Sequence, residues 1–300
     1  MKDKPAFYLG QDTEEGQTQM KSIRYPLLVS DFDGTLLRSD ETISEETLLA
    51  IEEYKAQGGH FALCTGRTIS SALLVAKKLG LKGLLSSFQG SIVADIESGE
   101  LLVDGCLPTD GAIEICRYME ELGLHIHVYD TYDYYSNMDD EWLAYYQRVS
   151  GVNGILVDDL PLSKFIETKP MKIRKVLTLV APSEKERVYQ LLVERFGEEY
   201  YVTYSAACLV EISSRVYSKA TALEKIAQHY GVSVEETIAV GDSLNDLPMI
   251  ARAGLGIAVQ NADDRLKQEA KLVLAYSNDE NAIGHIIKDY AMVEDKSSQK

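Results

Sequence analysis

Two carboxylates stand two residues apart in Asp31-Phe32-Asp33-Gly34-Thr35, directly after the apolar run Leu27-Leu28-Val29 and Ser30. A carboxylate fixed beside a cation can attack phosphorus and form an acyl phosphate. A second carboxylate next to it can handle the proton of the leaving group. The same segment also reads as a plain loop, because Asp and Gly are common turn formers. Two further polar clusters weigh against the loop: Thr65-Gly66-Arg67 and Gly241-Asp242-Ser243-Leu244-Asn245-Asp246. Brought together, Asp31, Asp33 and Asp242 would form the oxygen-rich, partly hydrated site that Mg2+ prefers. Thr65 and the Gly66 N–H would hold phosphoryl oxygens at a helix start. Lys219 would add a positive point charge.

Such convergence needs parallel neighbouring strands that all end on one edge. The apolar patterning provides them. Leu27 to Ser30 reads as a buried strand, followed by a helix from about Ser44 to Gln57, strand Phe61 to Cys64 and a helix from Ser70 to Lys78. The same grammar returns with a helix from Ala220 to Tyr230, strand Thr237 to Val240, a helix near Leu247 to Arg252, and strands Gly256 to Val259 and Leu272 to Leu274. The expected fold is α/β, with a parallel core in two stretches, 21–87 and 214–290. Between them the texture changes to hairpin-like pairs, Ser91 to Ala94 with Leu101 to Val103 and His125 to Tyr129 with Tyr132 to Tyr135, mixed with amphipathic helices. Residues 88–213 are therefore expected as an inserted α+β domain, with a cleft where it meets the core.

At 300 residues and 45% hydrophobic, the chain can bury a sizeable core. Its 47 acidic and 30 basic side chains give a net charge of −17, which repels nucleic acid and anionic membranes on average. An anionic substrate would need a local positive focus. Cys64, Cys106, Cys116 and Cys208 show no CxxC spacing, which fits a reducing cytoplasm. No run is apolar for long enough to span a bilayer. Residues 1–20 read as a disordered leader and 291–300 as a loose tail. Oligomeric state leaves no mark in the sequence.

The segments DFDGT, CTGR, EISSRVYSKATAL and GDSLND resemble the four motifs of the haloacid dehalogenase-like superfamily, in the order and spacing of its Cof-like phosphatase branch. The resemblance spans about Arg24 to Tyr290. It implies a Rossmann-like core with a large inserted cap, and Mg2+-dependent hydrolysis of small phosphorylated metabolites through an aspartyl phosphate. By the same resemblance Asp31 is the nucleophile and Asp33 the general acid, while Thr65 and Lys219 bind the phosphoryl group. Asp242 is a Mg2+ ligand, together with an Asp31 carboxylate oxygen and the Asp33 main-chain carbonyl. Asn245 and Asp246 match positions that contact phosphate or support the site from behind. The chain departs from the branch at Cys64, Ala220 and Gln89, where alanine, glycine and asparagine are usual. A phosphomutase or phosphotransferase, or a metabolite-binding regulator without turnover, would use the same motifs.

Other features stay open. His125 and His127 alternate on one face of a strand, and without an evident third ligand a structural or substrate-lining role is favoured over zinc. Cys64 reads as a small core residue. The tyrosines from Tyr129 to Tyr146, with Trp142, read as packing, the alternative being that one or two face the cleft. Arg67 either touches phosphate or pairs with an acid.

Overall fold

The computed structural model describes residues 21–206 and 208–294. Strand Leu27–Ser30 is an unbroken buried run, the pattern of a strand covered on both faces. It lies inside a sheet of eight strands. His60–Cys64 and Leu84–Ser87 follow on one side, and Thr237–Gly241, Leu255–Ala258 and Leu272–Val273 on the other, all parallel. Strand order therefore reverses at Leu27–Ser30, and open α/β sheets bind ligands outside the carboxyl edge at such a point. The register pairs Ser30 with Val240 and with Leu63. The segments that follow these residues consequently leave the sheet at one level.

Helices cover the core sheet with stripes spaced for burial. In Glu45–Ala56, Ser44 caps the first turn by accepting the Thr47 N–H, and Thr47, Ala50, Ile51 and Tyr54 are buried. In Lys219–Tyr230 a capping box between Ser218 and Thr221 fixes the start. Its buried residues are Lys219, Ala222, Leu223, Ile226 and Ala227. This spacing puts a lysine at the head of an apolar stripe, so its side chain enters the molecule instead of the solvent.

The inserted unit has its own sheet of six strands. Its central strand Lys175–Leu179 is antiparallel to both Leu209–Ser214 and His125–Tyr129. Ile126, Val128, Val176, Val210 and Ile212 form one core with residues of helices Thr109–Glu121, Leu162–Thr168 and Lys185–Phe196. The alternate residues of these strands, including His127, Tyr129, Lys175 and Glu211, belong to the opposite face. Where the chain leaves the core, Gly105 packs so closely on the returning Tyr217 that a Cβ would overlap the ring. Buried Arg174 braces the junction, donating to the Gly105 carbonyl, Asp104 and Thr131 Oγ1, each at 2.5 Å.

Two expected boundaries change. The hairpin Ile92–Asp95 with Leu101–Asp104 belongs to the core sheet, antiparallel beside Leu84–Ser87, so the insertion starts after Asp104 and not at 88. Ile92 to Ala94 is buried as a continuing sheet requires, while Leu101–Asp104 alternates half-buried and exposed as an edge does. Met292–Glu294, placed by the sequence in the expected tail, is instead a strand paired with Lys21–Ile23. The leader 1–20 and the tail beyond 294 lie outside the described residues. Among the described residues no helix is long and apolar enough to cross a membrane.

Gly90 closes the turn after Leu84–Ser87 at φ +107°, and a Cβ there would overlap the Ser218 backbone. Gly58 has φ +95° but open space around it. Alanine costs about 1–2 kcal/mol in the left-handed region at either position, and overlap at Gly90 adds about 1–3 kcal/mol. Gly90→Ala is therefore expected to lower the thermal midpoint clearly more than Gly58→Ala. Equal shifts would show that the turn does not press on the start of the lysine helix.

Candidate active site

The carboxyl edge of the core sheet and the face of the inserted sheet that carries Lys175 and Glu211 enclose a cavity of about 370 Å3. Asp31, Thr65, Asp242 and Asn245 line it from the core, and Tyr146, Lys175 and Glu211 from the insertion. Asp33, Gly66 and Arg67 are also on its wall. All of the residues expected at the site are gathered here or directly behind it.

Lys219 organises the floor. Its ammonium, only 1% exposed, donates to Asp31 Oδ1 at 2.5 Å and also to Asp246 Oδ1. The other Asp246 oxygen accepts the backbone N–H groups of Asp242 and Ser243, each at 3.0 Å. Asp246 thus supports the site from behind by tying the lysine to the loop that carries Asp242. Thr35 donates to Asp242 Oδ1 at 2.9 Å and fixes that carboxylate. Gly34 makes room for it: φ is +73°, and a Cβ would stand 2.7 Å from Asp242 Oδ2.

Carboxylate oxygens of Asp31, Asp242 and Asp246 lie within 4.8 Å of one another. Burial, with Asp246 second, raises the Asp31 carboxyl well above the ordinary carboxylate range. The same two causes push Asp242 up to about 6. Burial opposes the Lys219 charge, but Asp246 and Asp31 outweigh it and hold the ammonium protonated. Three crowded carboxylates with one ammonium leave negative charge that a hard, oxygen-preferring divalent cation would satisfy. The donor set fits Mg2+. Because both Asp246 oxygens are engaged, Asp31 and Asp242 are the side chains available to it.

Asp33 is at the mouth, its side chain half exposed, and Arg67 holds it with two bonds, Nε to Oδ2 at 2.8 Å and an Nη to Oδ1 at 2.5 Å. Of the two readings of Arg67, the structure has the ion pair. Thr65 is buried and its hydroxyl accepts the Arg67 N–H at 3.1 Å. Gln89, at φ +57°, reaches between Gly66 and Asn245 and accepts from Asn245 Nδ2 at 3.2 Å. Cys64 is a core residue, its thiol pushed up to about 12 by burial.

Sequence reading did not single out Thr35, Lys175 or Glu211. Lys175 donates to Glu211 at 2.9 Å, a nearly buried pair on the cavity wall. The available signal was a charged residue inside each of two apolar strands, Lys-Val-Leu-Thr-Leu and Leu-Val-Glu-Ile-Ser-Ser.

A family model described as haloacid dehalogenase-like hydrolase matches residues 28–287. A 5-amino-6-(5-phospho-D-ribitylamino)uracil phosphatase of Bacillus subtilis is 30% identical over 274 residues, covering 88% of this chain and 97% of its own. An HMP-PP phosphatase of Yersinia pestis is 29% identical over 247 residues, covering 82% of this chain and 87% of its own. Among solved structures, a Thermotoga maritima protein superposes with a TM-score of 0.77 at 28% identity, covering 88% of this chain and 97% of that one. A haloacid dehalogenase-like hydrolase from B. subtilis gives 0.77 at 26% identity, covering 88% of this chain and 99% of that one. With a match over most of its length and the motif residues meeting at one sheet edge, this chain belongs to the haloacid dehalogenase-like hydrolases.

Proposed function

We propose that the protein is a Mg2+-dependent phosphatase of small phosphorylated metabolites that works through a phosphorylated Asp31. The observation that carries this reading is the Lys219 ammonium clamped to Asp31 at the edge of a cavity that also holds Thr65 and Asp242. The relatives named for action on phosphorylated small molecules support the substrate class.

In this account an Asp31 oxygen attacks phosphorus and the ester P–O bond breaks. Lys219 fixes the rotation of the Asp31 carboxylate and faces the phosphoryl oxygens with positive charge. Thr65 Oγ1 and the Gly66 N–H bind those oxygens, with Asn245 beside them. Asp33 gives its proton to the leaving oxygen. It then takes a proton from the water that attacks the same phosphorus, releasing inorganic phosphate and restoring Asp31. For this Asp33 exchanges the Arg67 guanidinium for the leaving oxygen. Mg2+ held by Asp31, Asp242 and the Asp33 carbonyl would offset negative charge on the phosphoryl group. The inserted unit, acting as a cap, excludes bulk water from the cavity.

The roles of the two acids separate in a series of esters. Asp31→Asn is expected to abolish phosphate release from every ester while far-UV circular dichroism is retained. Asp33→Asn is expected to lower kcat/KM, which covers the steps up to departure of the leaving group, by about 10²–10⁴-fold for alkyl phosphates and far less for aryl phosphates, whose leaving groups need no proton. Equal losses of kcat/KM on both ester classes in Asp33→Asn would remove the general-acid assignment.

Metal binding can be read without turnover. Adding Mg2+ is expected to raise the thermal midpoint at pH 7, and Asp242→Ala to abolish that rise. Protons compete for the Asp242 carboxylate, which burial pushes up to about 6. The stabilisation by Mg2+ should therefore shrink between pH 7 and pH 5. A rise that survives in Asp242→Ala would place the ion elsewhere.

A further inference from the structure

The wall that the inserted sheet gives the cavity carries an ion pair for which the phosphoryl chemistry has no use. Lys175 and Glu211 come from neighbouring antiparallel strands, in a register that sets Lys175 opposite Ser213 and Glu211 opposite Leu177. Ser213 and Glu211 are two residues apart, so Lys175 and Glu211 lie on one face as diagonal neighbours. The Lys175 ammonium donates to Glu211 Oε2 at 2.9 Å, and each side chain is only 6% exposed. The same ammonium stands over the Tyr129 ring, 4.9 Å from its centre, and over the Phe88 ring at 6.0 Å, which fixes its place on the wall. Burial opposes its charge, but Glu211 outweighs burial and keeps it protonated.

A buried pair contributes little to stability, because desolvating two charges offsets their attraction. On the wall of a ligand cavity it sets the local charge instead. Asp31 and Asp242, with Lys219 behind them, belong to the floor that receives the phosphoryl group. The other charged side chains around the cavity are Lys175, Glu211, Arg67 and Asp33, and they cancel in pairs, Lys175 with Glu211 and Arg67 with Asp33. Arg67 has a second carboxylate, Glu41 at 3.9 Å, to meet its charge while Asp33 turns to the leaving oxygen. A leaving group with a net charge of its own is therefore buried against a wall without a counter-charge to offer, or has to break one of these pairs. Hydroxyls require neither, since an ammonium donates to them and a carboxylate accepts from them.

We propose that the Lys175–Glu211 pair selects phosphate esters with an uncharged, hydroxyl-bearing leaving group and discriminates against leaving groups that carry a carboxylate or an amine. The inference rests on the phosphatase reading above and specifies which small phosphorylated metabolites its cap admits. Lys175 and Glu211 take no part in breaking the ester bond and act on specificity alone.

Three hexose esters of similar size test it at pH 7 and saturating Mg2+: glucose 6-phosphate with a neutral leaving group, 6-phosphogluconate with an anionic one and glucosamine 6-phosphate with a cationic one. Wild type is expected to favour glucose 6-phosphate over either charged ester by about tenfold in kcat/KM, mainly through KM. Glu211→Gln leaves the ammonium without its carboxylate and should raise the ratio of 6-phosphogluconate to glucose 6-phosphate by about tenfold while lowering that of glucosamine 6-phosphate. Lys175→Gln should do the reverse. Lys175→Gln combined with Glu211→Gln gives a wall without net charge and should bring both ratios back toward those of wild type. Each ratio compares esters on one preparation, so partial loss of folded protein cancels, and the wild-type comparison decides even where a variant fails to fold. Wild type that hydrolyses a charged ester as well as glucose 6-phosphate would overturn the inference, as would single variants whose two ratios stay put or move in the same direction. Release from phenyl phosphate but from none of the hexose esters would overturn it too. No release from any ester, phenyl phosphate included, would instead count against the phosphatase reading.

Discussion

A single buried ammonium holds this site together. Lys219 lies at the head of the apolar stripe of its helix, and the stripe drives the side chain into the protein whether or not a partner is there. Leaving such a charge unpaired by removing a partner costs about 3–5 kcal/mol, so the fold must bring carboxylates to it. Asp31 comes from the end of Leu27–Ser30 and Asp246 from the loop after Thr237–Gly241. One pairing requirement therefore draws together segments 188 residues apart in the chain. The same pairing leaves Asp242 beside two other acids, in need of a cation.

The two sheets present different walls to the cavity. The core side is rigid, with Asp246, Thr35 and the backbone at Gly34 holding Asp31 and Asp242 through short bonds among buried groups. The inserted sheet turns apolar residues to its helices and a polar, aromatic face to the cavity. There Lys175, Glu211 and Tyr146 line the cavity. No residue of the insertion pairs with the Asp31–Lys219–Asp246 cluster in the described hydrogen bonds.

Much of this was legible in the sequence because short-range rules decide it. The run Leu27 to Ser30 and the helices read from about Ser44 and from Ala220 depend on local structure fixed within a few residues, which in the structure begins at the caps Ser44 and Ser218. Clusters at strand ends then pointed to a shared edge. What stayed hidden depends on long-range choice. A hairpin's alternation does not say which sheet it joins, so Ile92–Asp95 and Leu101–Asp104 read as part of the insertion although they extend the core. Arg67 was equally suited to phosphate or carboxylate, and only the approach of Asp33 decides between them in this structure. Alternating His125 and His127 were visible, but the partner that orients them, Asp140, lies 15 residues from His125 in a different element.

The claim that Asp31 becomes phosphorylated is tested most directly by acid quench during steady turnover, followed by mass spectrometry of peptides. Acyl phosphates survive acid well enough to be located. The account predicts one phosphoryl group on the peptide that carries Asp31, absent in Asp31→Asn. A phosphoryl group on any other residue, or turnover with wild-type rates and no modified Asp31 peptide at any quench time, would contradict it.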